Sequence, residues 1–520
     1  MAAVSVCVAL AAEVACGGGD NSGVPDTPKG TLVMGPQEAC SMDLATTPPD
    51  VTIFGAAAGD YLADRFSLAT GDFNDDGLAD VLVGSPLADG PADSRENAGE
   101  AYIIFGSARA PAGIDLLEGS AVNVLGENPG DNLGFTVAAG DVNGDGRDDA
   151  IVGARFASTA DAATAGKAYV FFGGQDLAGV LDTAAGQEDA RIIGRAGDFL
   201  SMALATGDVN NDDIDDILLG ATGMGGPDSG RPSAGGVDVI LGSTNLAATD
   251  LRQGSPFFRV HGATAGDSIP NHLAAGDLDG DGRAELIIGG PLVDADQRED
   301  AGAVYIVPVP KDGGELDLAG ESGFERITGG ARKDMLGFQV AAGDINDDGV
   351  ADVIIGARDA DGVGDVINNA GEVHLVFGGG HLPKSRDLID SPSDVLISGG
   401  DPTDSVGFSV GTGDVNGDGV TDVLTGAPVA GGCANARLDA GDAYAVFGRN
   451  DWPEGITLKG AGDLTFLGAE EGDELGFSIA SGDFNGDGVA DVMLGALQAD
   501  GPDNSRPDGG ELYIILSEKS

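Results

Sequence analysis

Apolar residues in this chain fall in short runs of four to six, each bounded by Gly, Asp, Asn or Pro. Val, Ile, Leu and Phe dominate these runs, and no segment sustains an apolar stripe at the 3.6-residue spacing of a helix. β-Branched and aromatic residues between turn formers predict strands, and the missing helical period predicts very little helix. In one representative stretch the strands are expected at Phe338–Ala342, Asp352–Ile355, Glu372–Phe377 and Val395–Ser398.

That stretch is one of seven. The nonapeptide D-x-[ND]-x-D-G-x-x-[DE], with Asp213 replacing Gly in the third copy, starts at Asp72, Asp141, Asp208, Asp277, Asp344, Asp414 and Asp483. The copies lie 67 to 70 residues apart, a register chance does not produce. A Leu-Gly-Phe lead-in precedes several of them, as at Leu133–Phe135, Leu336–Phe338 and Leu475–Phe477, while the fourth has Ile269-Pro270-Asn271-His272. An apolar run ending in a Gly-Ala-Pro-like turn follows, tight at Val423–Pro428 and looser at Val81–Pro86. A G-x-x-Y-x-x-F-G strand comes later, as at Gly99–Gly106, Gly166–Gly173 and Gly441–Gly448.

Units of this kind repeated about an axis make a β-propeller, which leaves only short, protected edges. The expectation is an all-β, seven-bladed β-propeller of four-stranded blades over residues 49–520. Val51–Gly55 reads as a fourth strand preceding the first loop, and Glu511–Leu516 as a third strand with no fourth behind it. The N-terminal strand should therefore complete the last blade, because an open ring would expose two pairing edges.

Positions 1, 3, 5 and 9 of each nonapeptide place side-chain oxygens around one point. The seven quartets are Asp72, Asn74, Asp76, Asp80; Asp141, Asn143, Asp145, Asp149; Asp208, Asn210, Asp212, Asp216; Asp277, Asp279, Asp281, Glu285; Asp344, Asn346, Asp348, Asp352; Asp414, Asn416, Asp418, Asp422; and Asp483, Asn485, Asp487, Asp491. Hard oxygen ligands on a flexible loop, three or four of them anionic, suit Ca²⁺ better than Mg²⁺, which demands a tighter octahedron. No His or Cys is placed to favour zinc. Up to seven Ca²⁺ are expected, with weaker binding at the third loop, where Asp213 must take the turn that Gly takes elsewhere. An EF-hand is excluded, since position 12 is Val83, Val152, Leu219, Ile288, Ile355, Thr425 or Leu494 rather than a bidentate Glu.

Charge narrows the partners. The 520 residues carry a net charge of −60, which disfavours nucleic acid and anionic lipid. The quartets use 22 of the 86 acidic residues, leaving 64 against 26 basic ones, an excess expected to form a solvated acidic surface. The 42% hydrophobic content is enough for a folded core. No run of 18 apolar residues is present to span a membrane as a helix.

Residues 1–15 (MAAVSVCVALAAEVA) form a small, apolar leader, followed by Cys16 and a Gly-rich segment expected to act as a tether over residues 16–48. The arrangement resembles a bacterial lipoprotein signal with a lipid anchor at Cys16. It departs from that pattern at Glu13 and in having no basic residue before the apolar run, so an ordinary secretory leader stays open. Either reading places the protein outside the cytoplasm, anchored at the outer membrane or cell surface, or extracellular. Cys40 and Cys433 then remain, as a disulfide reinforcing the closure or as two thiols.

The Gly-Phe lead-in, the acidic loop and the Gly-Ala-Pro-like turn together resemble the FG-GAP repeat, the blade unit of the integrin α-subunit head, over roughly residues 50–516. The resemblance implies a seven-bladed propeller, Ca²⁺ on one face held by the seven quartets, and partner recognition on the opposite face. In integrin α subunits only some blades carry such a loop, whereas all seven do here. No leg domains follow the last strand, so a monomer is expected rather than an integrin-type heterodimer.

Enzymatic chemistry finds little support. His261, His272, His374 and His381 are scattered, no G-x-S-x-G elbow marks a nucleophile, and neither a P-loop nor a dinucleotide fingerprint is present. Related propellers accompany phospholipase-type domains, but no such catalytic domain is recognised here. The loops between second and third strands (such as Leu87–Ala98, Ala221–Ala234 and Leu497–Asp508) vary and carry almost no aromatics, which argues against sugar stacking. The sole Trp, Trp452, is expected to pack an edge. The sequence thus points to an exported, calcium-binding module for adhesion to an unidentified protein or surface ligand. The alternatives are a calcium-stapled scaffold and a hydrolase-associated propeller.

Overall fold

The computed structural model describes residues 40–517, apart from 92–93, 120, 176, 296, 321, 363, 365, 380–383, 433–435 and 459–461. Seven separate sheets are arranged as a seven-bladed β-propeller, and each contains one acidic nonapeptide between its first two strands. In blade 1 the strands Leu68–Gly71, Asp80–Ser85, Glu100–Ile104 and Val122–Leu125 pair antiparallel from the channel outward. In the fifth unit the observed strands, Val340–Gly343, Asp352–Ala357, Glu372–Val376 and Val395–Gly399, match the expected set to within two residues at each end.

The blades have five strands, not four. The fifth strand of blade 1, Val180–Asp182, runs parallel to Val122–Leu125 and comes from the connection between third and fourth strands of the next unit. Every blade borrows its outermost strand from its neighbour in this way, and the borrowed strands are two to four residues long. Such short segments pair along one edge only and need no alternating pattern, so the sequence reads them as loops.

Closure is double. Val51–Phe54 pairs antiparallel with Glu511–Ile515 and completes blade 7, as the termini predicted. Cys40–Asp43, placed in the tether by the sequence, lies parallel to Leu464–Leu467 as the fifth strand of blade 6. The leader, Cys16 and Cys433 lie outside the described residues.

The core is distributed. Seven apolar clusters lie one at each seam, each joining residues of two adjacent blades; Val122 and Val124 of blade 1, for example, meet Val152 and Tyr169 of blade 2. Second and third strands are buried along their whole length. Blades approach closely enough that a Cβ on Gly84 would lie 1.9 Å from the Gly134 carbonyl oxygen, and one on Gly426 would lie 2.0 Å from that of Gly476. Glycine in the second strand is what lets the next blade's first strand close over it.

Candidate metal-binding loops

Each nonapeptide is wound by its own carboxylates. The position 1 Asp accepts hydrogen bonds from the backbone N–H groups of positions 5 and 6: Asp72 from Asp76 and Gly77, at 3.1 and 2.9 Å, and Asp483 from Asp487 and Gly488, at 3.0 and 2.9 Å. The exposed position 5 Asp accepts from the N–H of position 7, as Leu78 donates to Asp76 at 3.0 Å and Val489 to Asp487 at 3.0 Å. Position 6 is left-handed in all seven loops: Gly77 has φ 83°, Gly419 has φ 91°, and Asp213 holds φ 64° in the third. Asp213 therefore adopts the turn that glycine makes elsewhere, at some conformational cost.

The position 9 carboxylates are buried. Asp80, Asp149, Asp216, Asp352, Asp422 and Asp491 have no exposed surface, and Glu285 is nearly as buried. Each accepts the N–H of position 2, and the six aspartates also accept one from the end of the third strand. Asp80 takes Phe73 at 3.0 Å and Gly106 at 2.8 Å. Burial pushes all seven up to about 7, against the lowering pull of those N–H bonds and with help from the other loop carboxylates.

Position 3 completes the set. In six loops it is Asn, whose amide donates to the position 9 carboxylate, at 2.9 Å for Asn143 to Asp149 and 3.2 Å for Asn485 to Asp491. The Oδ1 atoms of Asn74 and Asn346 are buried and have no hydrogen-bond partner. In the fourth loop position 3 is Asp279, and carboxylate oxygens of Asp277, Asp279 and Glu285 lie within 4.8 Å of one another. Two orphaned carbonyl-type oxygens and one carboxylate triad are hard oxygen donors, the chemistry a cation such as Ca²⁺ would satisfy.

The loops also touch one another around the ring. At every seam but that between blades 5 and 6, the N–H of position 8 donates to the position 1 carbonyl of the preceding blade: Asp215 to Asp141 and Ala490 to Asp414, at 2.9 and 3.0 Å, and across the closure Ala79 to Asp483, at 2.9 Å. All seven loops join first to second strands, so they occupy the face opposite the loops between second and third strands.

That opposite face holds residues the sequence reading passed over. Arg95 pairs with Asp182, Arg231 with Asp317, Arg298 with Asp387, Arg437 with Asp43 and Arg506 with Asp115, at 2.6 to 2.8 Å. In each pair the loop between second and third strands grips the end of the borrowed fifth strand. In blade 5 the two positions are Ile367 and Leu458. The partners stand nearly 90 residues apart in the chain or at its two ends, so only the fold brings them together. The loops vary in sequence but share a backbone bond, seen in Arg95 N–H to Asp89, Ile367 to Asp361 and Arg506 to Asp500, each at 2.7 Å.

The histidines form no cluster among the described residues. His374 lies in a strand against Glu372 at 3.2 Å, His261 lies 3.4 Å from Glu315, and His272 faces the channel and is held down to about 4 by burial. His381 lies outside the described residues. Trp452 packs on the blade 5–6 seam rather than a free edge, its Nε1 donating to the Ile345 carbonyl at 3.0 Å.

Fold and loops together define a seven-bladed propeller with an acidic loop in every blade. The FG-GAP repeat matches residues 66–104, 133–171, 270–307, 336–376, 406–447 and 475–515. The chain is an FG-GAP repeat protein with homology to integrin α subunits. The unmatched unit is the third, whose loop carries Asp213. Integrin alpha pat-2 of Caenorhabditis elegans is 29% identical over 251 residues, covering 46% of this chain and 18% of that protein. Integrin alpha-5 of Xenopus laevis is 28% identical over 236 residues, covering 44% and 20%. Phosphatidylinositol-glycan-specific phospholipase D of Bos taurus is 28% identical over 167 residues, covering 32% and 19%. The matched segments thus span about a fifth of those relatives' own length. A solved structure, BBS1N in complex with ARL6DN, is similar with a TM-score of 0.45 over 90% of this chain and 98% of that chain, at 9% identity.

Proposed function

We propose that this chain is an exported, calcium-binding propeller that serves as a non-enzymatic binding or adhesion module at the cell surface. The observation that carries the reading is the repeated quartet, with its buried position 9 carboxylate and, in Asn74 and Asn346, a buried oxygen that lacks a partner. Bound Ca²⁺ would supply charge neutralisation to the quartets, beginning with Asp277, Asp279, Asp281 and Glu285. Because neighbouring loops are hydrogen-bonded, ordering one would stiffen the whole face and leave the opposite face for recognition of an unidentified protein or surface ligand. Export and a surface location are supported by the integrin relatives. A second reading, a propeller that accompanies a hydrolase, is favoured by the phospholipase D relatives. It assigns the same Ca²⁺ role to the loops.

Ligands that bind only the folded form raise its melting temperature with their concentration. The thermal melt should therefore rise by ten degrees or more between excess chelator and millimolar Ca²⁺, and less in Mg²⁺. An unchanged melt would mean that the loops are turns held by hydrogen bonds alone.

A further inference from the structure

On the face opposite the acidic loops, arginines and phenylalanines alternate around the mouth of the central channel. Phe156 lies 4.5 Å from the Arg155 guanidinium, and Arg155 stacks at 3.4 Å on Phe135. Phe135 meets Phe66 at 6.0 Å; Arg65 lies 4.7 Å over Phe66 and 5.6 Å from Phe338. Arg358 lies 4.1 Å over Phe338 and 5.5 Å from Phe408, which meets Phe477 at 4.7 Å. Phe66 belongs to blade 1 and Phe338 to blade 5, which are not neighbours, so Arg65 reaches across the channel. Below it lies a cavity of about 110 Å³ lined by Arg65, Thr136, His272, Gln339 and Ser478 among others.

Arg155 and Arg358 occupy the place held by Pro86, Pro291 and Pro428 in other blades, so the Gly-Ala-Pro-like turn becomes Gly-Ala-Arg at two seams. A guanidinium lying flat on a ring keeps its N–H donors in plane and free to bind. Here the Nε atoms of Arg65, Arg155 and Arg358 are buried without a hydrogen-bond partner. Asp64 lies against Arg65 and Arg155, and Asp359 comes to 3.4 Å of Arg358 Nε without forming a hydrogen bond. The three cations also act on one another. Burial holds Arg155 down to about 10 and also lowers Arg65; Asp64 opposes the lowering at both, and Arg65 adds to it at Arg155 as Arg358 does at Arg65. Three guanidiniums against the two carboxylates of Asp64 and Asp359 leave an excess of positive charge at the channel mouth, which favours an added anion.

We propose that this mouth is a binding site for one small oxyanion, a carboxylate or a tetrahedral oxyanion, held at Arg65, the guanidinium that links Arg155 on one side to Arg358 on the other. It gives a chain of net charge −60 one site selective for anions, on the face free of metal-type loops. The site does not depend on calcium occupancy.

Calorimetric titration of the full chain, in millimolar Ca²⁺ at constant ionic strength, would use sodium sulfate and sodium acetate as probes, with sodium chloride as control. The expected result is one site per chain for sulfate or acetate, and the preferred probe reports whether a tetrahedral or planar anion is favoured. Arg155→Gln and Arg358→Gln should each weaken binding at least tenfold, and Arg358→Lys should recover part of it. The calcium-dependent melt of all three variants should match the parent, which separates loss of the site from loss of the fold. No saturable heat beyond chloride, or binding unchanged in both Gln variants, would overturn the proposal.

Discussion

Single residues set the local chemistry, and the buried acids show how. Asp442 begins the third strand of blade 6 with 6% of its surface exposed, and its Oδ1 has no hydrogen-bond partner. Burial pushes it up to about 7, and Asp404 adds to the shift. The folded protein thus holds this proton more tightly than the unfolded chain, so stability falls with rising pH between the two values. The contribution is complete below about pH 4, the unfolded value, and is lost as pH rises through about 7. Asp442→Asn should flatten the decline in melting temperature between pH 5 and pH 8, and should stabilise the protein at pH 8 by on the order of 1 kcal/mol relative to the parent. Melts of parent and variant in saturating Ca²⁺ would check this, and parallel pH profiles would refute it. At the same scale, Asp213 shows what a sequence can disclose: its place in a nonapeptide required a left-handed turn, and φ 64° is what the structure has.

At the scale of elements, legibility depended on length and on distance along the chain. The four inner strands of each blade are long enough, and the second and third apolar enough, to be read from residue type alone. The borrowed fifth strand was missed because Gly113–Asp115 or Thr249–Asp250 carries too few residues to show a pattern. The Arg–Asp clasps that hold these strands were missed for another reason, since nothing near Arg506 marks Asp115 as its partner. Likewise Gly-Ala-Arg at Arg155 and Arg358 was visible as a departure from Gly-Ala-Pro, but the rings they lie on, Phe135 and Phe338, stand twenty residues earlier at the start of the same blade, and Phe408 comes from the next. The Arg506–Asp115 clasp is bidentate and largely shielded, and the guanidinium holds Asp115 below the usual carboxylate range. A double-mutant cycle on Arg506→Ala and Asp115→Ala should give a coupling of about 1 to 2 kcal/mol. Arg506→Lys should restore less than half, because an ammonium cannot make both bonds. Additive effects would show that the two side chains act separately.

For the whole molecule, the termini decide whether the ring exists as a ring. Deleting residues up to 45 removes the fifth strand of blade 6 and Asp43, the partner of Arg437. This variant should stay monomeric with a lower melting temperature. Deleting up to 55 also removes Val51–Phe54 and bares the full edge of Glu511–Ile515. Such an edge invites pairing with other chains, so size-exclusion chromatography should show that variant as oligomer or aggregate, and a well-behaved monomer would contradict the double closure. The same geometry bears on biosynthesis. Residues 40–54 are made more than 400 residues before their partners at 464–467 and 511–515. A ribosome must therefore make all seven units before both of these strands can dock. Until then blades can assemble only as an open arc, which gives a chaperone a long interval in which to hold the unclosed chain.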